Sequence, residues 1–284
     1  MKLATFLHRG ATSWGAVIGD DIADVGAVLG DRLPTLRAAL AAGALEELEA
    51  ALPGAPRRPL AAVTWLPVIP DPGKIFCVGI NYEDHRVETG RERVGHPTIF
   101  TRFADTLSGH GAAIPRPPES TEVDYEGELA VIIGRGGRRI PQAQALAHVA
   151  GYACFNDVSV RDWQRHTGQF TPGKNFPGTG PLGPWLVTAD EIPDPATLRL
   201  RTRVNGAVLQ DARTDQMIFT IPRIIAYCST FTRLEPGDVI ATGTPGGVGS
   251  RREPPVWLKH GDRVEVEIER VGLLVNPVAD EGRA

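Results

Sequence analysis

The sequence predicts a mostly-β or α+β fold, and three observations carry that expectation. Its 32 glycines and 24 prolines, together about a fifth of the chain, are scattered between short apolar segments with no repeat period. That is the texture of many short strands joined by turns, not of collagen or low-complexity sequence. The runs LRLRTRV (198–204) and VEVEI (264–268) alternate with period two, as strands with one wet face do. Helical stretches are few and do not alternate with strands, which argues against a doubly wound sheet.

Taken in order, Lys2 to Leu7 and Gly15 to Ile18 read as short strands. An Ala/Leu-rich helix is expected from about Leu33 to Leu52, with Pro34 near its first turn and a break at Gly43. The turn-rich LPGAPRRP (52–59), then Pro67, Pro70 and Pro72, mark off a small N-terminal domain, 1–70, from a larger domain, 71–284. The boundary falls near Asp71. Beyond it, Lys74 to Val78 and Glu128 to Ile133 read as buried strands, and GRGG (134–137) as a turn. Short helices are expected around Pro141 to Ala150, ended by Gly151, and from Ile221 to Thr232 before the turn LEPGD.

Composition narrows the function classes. A chain of 284 residues with 42% hydrophobic and 23% charged residues buries a core without disulfide or metal staples. A net charge of −4 argues against a nucleic-acid partner. No stretch approaches 18 uncharged apolar residues, so no membrane span is expected. The opening MKLATFLHRGATSW lacks the apolar core and cleavage site of a secretory signal. Cys77, Cys154 and Cys228 are odd in number and widely spaced, which fits neither a disulfide framework nor a zinc site. The expectation is a reduced, cytoplasmic protein.

Candidate chemistry lies in five places. Glu126-Gly127-Glu128 enters the apolar run ELAVII, and residues i and i+2 of a strand share a face. Two carboxylates so placed repel unless a cation lies between them, and oxygen-only ligands favour Mg²⁺, Mn²⁺ or Ca²⁺ over zinc. Asp157 falls at the end of a strand over Tyr152 to Phe155, where it is either a third ligand or a turn-capping Asp. His85 and Glu88, three apart on a short helix, form a candidate general base or an ordinary wet-face pair. Lys174 lies in the Gly/Pro-dense TPGKNFPGTGPLGP, where a surface charge is the commoner reading. The loop GTPGGVG (243–249) lacks the Lys-Ser/Thr ending of a phosphate loop but offers backbone amides to a carboxylate. Neither G-x-S-x-G nor H-E-x-x-H is present.

In this order the segments VGINYEDHRVE, DYEGELAVIIG, GYACFNDVSVRDWQ, KNFPGTGPLGPW, LEPGDVIATGTPGGVG and WLKHGDRVEVEIERVGLLVNPV resemble the fumarylacetoacetate hydrolase family over roughly residues 72 to 279. The resemblance implies a mixed β-roll catalytic domain behind a small leading domain, usually as a homodimer. It implies Mg²⁺ or Mn²⁺ on Glu126, Glu128 and Asp157, a His85–Glu88 dyad on a mobile lid helix, and an active-site Lys174. Thr244, Arg161 and Arg102 are implied at the substrate. Many relatives carry Asp where this chain has Pro177, which resembles a subgroup of ring-cleavage decarboxylases, isomerases and hydratases. The expected reaction is metal-dependent C–C hydrolysis of a 2,4-dioxo acid. The alternative is decarboxylation, isomerisation or hydration of a β-keto or unsaturated keto diacid such as oxaloacetate.

Overall fold

A computed structural model describes residues 1–282. The chain folds as α+β with mixed sheets, and the largest sheet has twelve strands. From Lys2–His8 to one edge it runs Lys2–His8, Gly180–Thr188, Val149–Asn156, Gly127–Ile133, Val239–Ala241, Ile75–Gly79 and Thr98–Arg102. Most neighbours are antiparallel, but Val239–Ala241 runs parallel to Ile75–Gly79. A five-stranded sheet packs against it, containing both period-two runs as Arg199–Val204 and Arg263–Ile268. Their alternating burial matches the pattern in the sequence.

The first 65 residues supply five short strands that extend the main sheet. The join is Lys2–His8 against Gly180–Thr188, with Lys2 opposite Val187 and Leu3 opposite Leu186. One apolar cluster runs across it, from Trp14, Leu36 and Leu48 to Cys77, Ala130 and Phe155. The larger aliphatic and aromatic side chains among them, such as Leu36, Leu48 and Phe155, each contribute about 1.5–3 kcal/mol relative to exposure.

Helices differ in detail from the expectation. The single helix over 33–52 is two, Leu36–Ala41 and Leu45–Ala51, separated at Gly43 with φ +64°. Thr35 caps the first by accepting from the Ala38 N–H at 3.0 Å, so it starts two residues beyond Pro34. The helix expected over Pro141 to Ala150 is instead a 3₁₀ segment, Gln142–His148. The fully buried strand Val149–Asn156 takes the remaining residues, because ladder partners on both sides outweigh local propensity. Ile221–Phe231 is helical as expected, with Ile221, Ile224, Ile225 and Cys228 buried on one face.

Register positions the site. Gly127–Ile133 and Val149–Asn156 are antiparallel with Gly127 opposite Asn156, so the start of one meets the end of the other. Asp157 therefore follows directly beside Glu126, and its N–H donates to the Glu126 carbonyl at 2.8 Å. Val239–Ala241 pairs on the other side of Gly127–Ile133 and leads into Thr242-Gly243-Thr244. The parallel strand Ile75–Gly79 leads into the helix Glu83–Glu88.

Candidate active site

A cleft of about 420 Å³ opens where these strand ends meet. Glu126, Glu128, Asp157, Lys174 and His85 line it, and each is at most 5% exposed. Gly127, between the two glutamates, faces the second sheet, where a Cβ would lie 2.0 Å from Thr202 Oγ1. The tight approach excludes any side chain there, while both glutamates face the cleft.

One ligand oxygen from each of Glu126, Glu128 and Asp157 lies within 4.8 Å of the others. Lys174 Nζ donates to Glu126 Oε2 at 2.7 Å and to Asp157 Oδ2 at 2.6 Å. Arg161 places Nη2 2.7 Å from Glu126 Oε1 and donates through Nε to Asp124 Oδ2 at 2.8 Å. Arg102 donates to Asp157 Oδ1 at 2.5 Å and to Thr179 Oγ1 at 2.7 Å. Glu128 has no cationic partner among the described residues. Its Oε2 accepts only the Gly243 N–H, at 2.8 Å.

The unequal sharing of partners sets the protonation states. Burial alone would raise the Glu126 carboxyl, but the Lys174 ammonium and Arg161 guanidinium outweigh it and hold it near about 2. Burial, then the charges of Asp157 and Glu126, push Glu128 well above the usual carboxylate range. Burial works against charge on Lys174 and Arg161 too, yet their carboxylate partners raise both, so both stay cationic. Asp124, Glu126 and Asp157 are thus matched by three buried cations, Arg102, Arg161 and Lys174, and Glu128 is the one carboxyl left without a counter-charge. That unmatched carboxyl and the all-oxygen donors at Glu126, Glu128 and Asp157 fit a hard divalent cation of the Mg²⁺ or Mn²⁺ kind.

His85 and Glu88 share one face of the helix Glu83–Glu88. Glu88 Oε2 lies 3.0 Å from His85 Nδ1, and a carboxylate can only accept, so Nδ1 carries the proton and Nε2 is left free. Glu88 Oε1 accepts the Gly247 N–H at 2.9 Å, which ties the dyad to the loop after Thr244.

The remaining candidates fall in different places. Thr244 lines the cleft, donates to the Gly127 carbonyl at 3.0 Å and accepts from Gln210 Nε2 at 2.7 Å. Arg161 also lines it, with Nη1 on Gln164 Oε1 at 2.9 Å. Arg102, expected at the substrate, is instead fully buried behind Asp157 and is not part of the cleft wall. Pro177 is exposed, and the Lys174 charge is met by Glu126 and Asp157 without a carboxylate at 177.

Two site residues escape motif reading. Asp124 is fully buried and accepts from Gly249 N, Ser250 N and Arg161 Nε. The alternation of DYEGE, with acids at 124, 126 and 128, was a signal for it. Asn81 carries no such signal. Its amide donates to the carbonyls of Phe219 and Thr242, and its Oδ1 accepts the Phe219 N–H at 2.7 Å. Ile80 before it is held at φ +57°, costly for a β-branched residue. Gly243, at φ +105°, leaves the room: a Cβ there would sit 2.6 Å from Asn81 Cβ. Asn81→Ala strands three buried backbone groups, so a loss of about 2–4 kcal/mol is expected in urea unfolding. Faster amide exchange over residues 83–89 should accompany it; an unaltered midpoint would contradict this role.

The chain matches the C-terminal domain profile of the fumarylacetoacetate (FAA) hydrolases over residues 74–279. It belongs to the fumarylacetoacetate hydrolase family. It is 46% identical over 232 residues to the mitochondrial oxaloacetate tautomerase Fahd2a of Rattus norvegicus, covering 81% of this chain and 73% of that protein. With oxaloacetate tautomerase YisK of Bacillus subtilis it shares 44% identity over 214 residues, 74% of this chain and 71% of the other. Among solved structures, maleylpyruvate hydrolase from Sphingobium sp. SYK-6, in complex with manganese(II) ion and pyruvate, superposes with a TM-score of 0.84 at 35% identity. That match covers 99% of this chain and 100% of the other. The family and fold expected from the motifs are therefore both borne out, and the chain is an enzyme of this family. No described helix is long and apolar enough to cross a membrane.

Proposed function

We propose that this enzyme interconverts the enol and keto forms of a small 2-oxo dicarboxylic acid of the oxaloacetate type. The observation that carries the reading is the cleft floor: three carboxylates suited to a divalent ion, a buried ammonium, and a histidine with a free nitrogen. The identity to two oxaloacetate tautomerases supports this class over the others. Glu126, Glu128 and Asp157 would hold Mg²⁺ or Mn²⁺, which when bound supplies a Lewis acid for the 2-oxo oxygen and a template for the 1-carboxylate.

The protein's own groups divide the proton transfer. His85 Nε2 removes a proton from C3, with Glu88 holding the ring in place. Lys174, kept cationic by its carboxylate neighbours, faces the negative charge that develops on the 2-oxygen. The same proton returns to oxygen or carbon according to direction, so no water is consumed. Arg161 and Thr244 frame the substrate head, and Arg102 acts through Asp157.

A second reading keeps the same floor: His85 Nε2 activates water against C4 of an acylpyruvate, and C3–C4 cleaves. The likeness to a maleylpyruvate hydrolase supports it, and the Glu88-held ring serves a base for water as well as a base for carbon. Proton NMR of the Mg²⁺-loaded protein given enol-oxaloacetate or acetylpyruvate separates the readings. Accelerated ketonisation with no acetate supports the first. Acetate and pyruvate from acetylpyruvate, without faster ketonisation, would replace it with the second. In either reading His85→Ala is expected to slow turnover by about 10²–10⁴-fold, and an unchanged rate would remove His85 from the chemistry.

A further inference from the structure

Above its acidic floor the cleft has a wall of one sign. Four arginines line it, Arg91, Arg161, Arg165 and Arg251, and no carboxylate lines it beyond the three on the floor. Two of the four are committed: Arg161 to Asp124 and Glu126, and Arg165 to Glu122. Arg91 and Arg251 have no ion-pair or side-chain hydrogen-bond partner among the described residues. Unlike the floor residues, both are exposed, which places them at the mouth.

Their backbones are held although their guanidinium groups are free. Arg251 ends the 3₁₀ turn Gly249–Arg251, whose Gly249 and Ser250 N–H groups are fixed by the buried Asp124 carboxylate at 2.8 and 3.0 Å. Arg91 follows the dyad helix, and its carbonyl accepts from Arg86 Nη1 at 2.6 Å. One arginine is thus anchored to the loop after Thr244, the other to the helix that carries His85.

We propose that Arg91 and Arg251 form a second carboxylate-receiving pole, which makes the enzyme selective for substrates with an anionic group distal to the 2-oxo acid head. The inference rests on the tautomerase reading of the floor and adds what the floor cannot supply. A monocarboxylate fills the head site alone, whereas a dicarboxylate also meets two otherwise unpaired guanidinium groups, the side chain best suited to holding a carboxylate. An acylpyruvate with an apolar acyl group gains nothing there.

Calorimetry on the Mn²⁺-loaded protein with malate and lactate tests this, because the two share a 2-hydroxy acid head and differ in the distal carboxylate. Malate is expected to bind about tenfold or more tighter than lactate, a margin typical of a charge-assisted hydrogen-bond pair. In Arg91→Ala/Arg251→Ala the margin should shrink to about twofold, with lactate affinity unchanged. A margin that survives in the double variant, or its absence from the parent, would overturn the proposal. Absent ketonisation with the margin intact would instead count against the tautomerase reading and leave the pole standing.

Discussion

Glu128→Gln is expected to weaken divalent-ion binding by about a hundredfold or more while leaving the metal-free fold as stable as the parent or more so. Glu128 is the one floor carboxylate without a cation, held by a single backbone N–H. Burial and the charges of Asp157 and Glu126 already disfavour its ionised form. A neutral isostere keeps the shape and removes the repulsion, and it also removes the ligand. The pH dependence follows. A carboxyl whose folded pKa lies above its unfolded value, roughly 4.3, adds stability below that value and loses it as pH rises toward the folded pKa. Glu126 has the opposite sign: its contribution is present above the unfolded value and is lost as pH falls toward about 2. Metal-free melting of the parent should therefore lose stability with rising pH above the ordinary carboxylate range, and Glu128→Gln should flatten that loss. Titration with Mn²⁺ and melting curves across pH check both halves. Undiminished Mn²⁺ affinity in the variant would contradict the assignment.

Lys174→Met should move the same two quantities the other way. The ammonium holds Glu126 and Asp157 together at 2.7 and 2.6 Å, and its side chain is only 2% exposed. Without it two buried carboxylates lose a partner, a loss of about 3–5 kcal/mol in the metal-free protein. The ion then meets no competing cation on those oxygens and should bind more tightly, restoring much of that stability. Turnover should still fall by about 10²–10⁴-fold, since nothing replaces the positive charge facing the substrate oxygen. Calorimetric titration, melting with and without Mn²⁺, and a rate measurement at saturating ion together test this. A variant that turns over normally would remove Lys174 from the chemistry.

What was readable in the sequence was what local geometry determines. Period two put Glu126 and Glu128 on one face of a strand, and a spacing of three put His85 and Glu88 on one face of a helix. Asp157 could be placed at a strand end, but its meeting with Glu126 depends on the antiparallel register that sets Gly127 opposite Asn156. Lys174 stood out from its Gly/Pro loop only through resemblance, because its partners lie 48 and 17 positions away. Arg102 shows the limit most clearly. The family resemblance implied a substrate contact, and only the fold reveals that Asp157 takes up its guanidinium. Asn81 works through backbone groups of Phe219 and Thr242, which no side-chain motif encodes. The leading strands follow the same logic: local sequence could propose them as short strands, whereas the pairing of Leu3 with Leu186 is a property of the packed sheet. At 141–150 local propensity favoured a helix and non-local pairing prevailed.

The metal-dependent ketonisation is tested by the near-ultraviolet decay of enol-oxaloacetate, followed in stopped flow with metal-stripped protein before and after Mn²⁺ is restored. No acceleration is expected without the ion, rapid ketonisation with it, and loss of that gain in Glu128→Gln. Ketonisation accelerated equally with and without the ion would contradict the metal dependence.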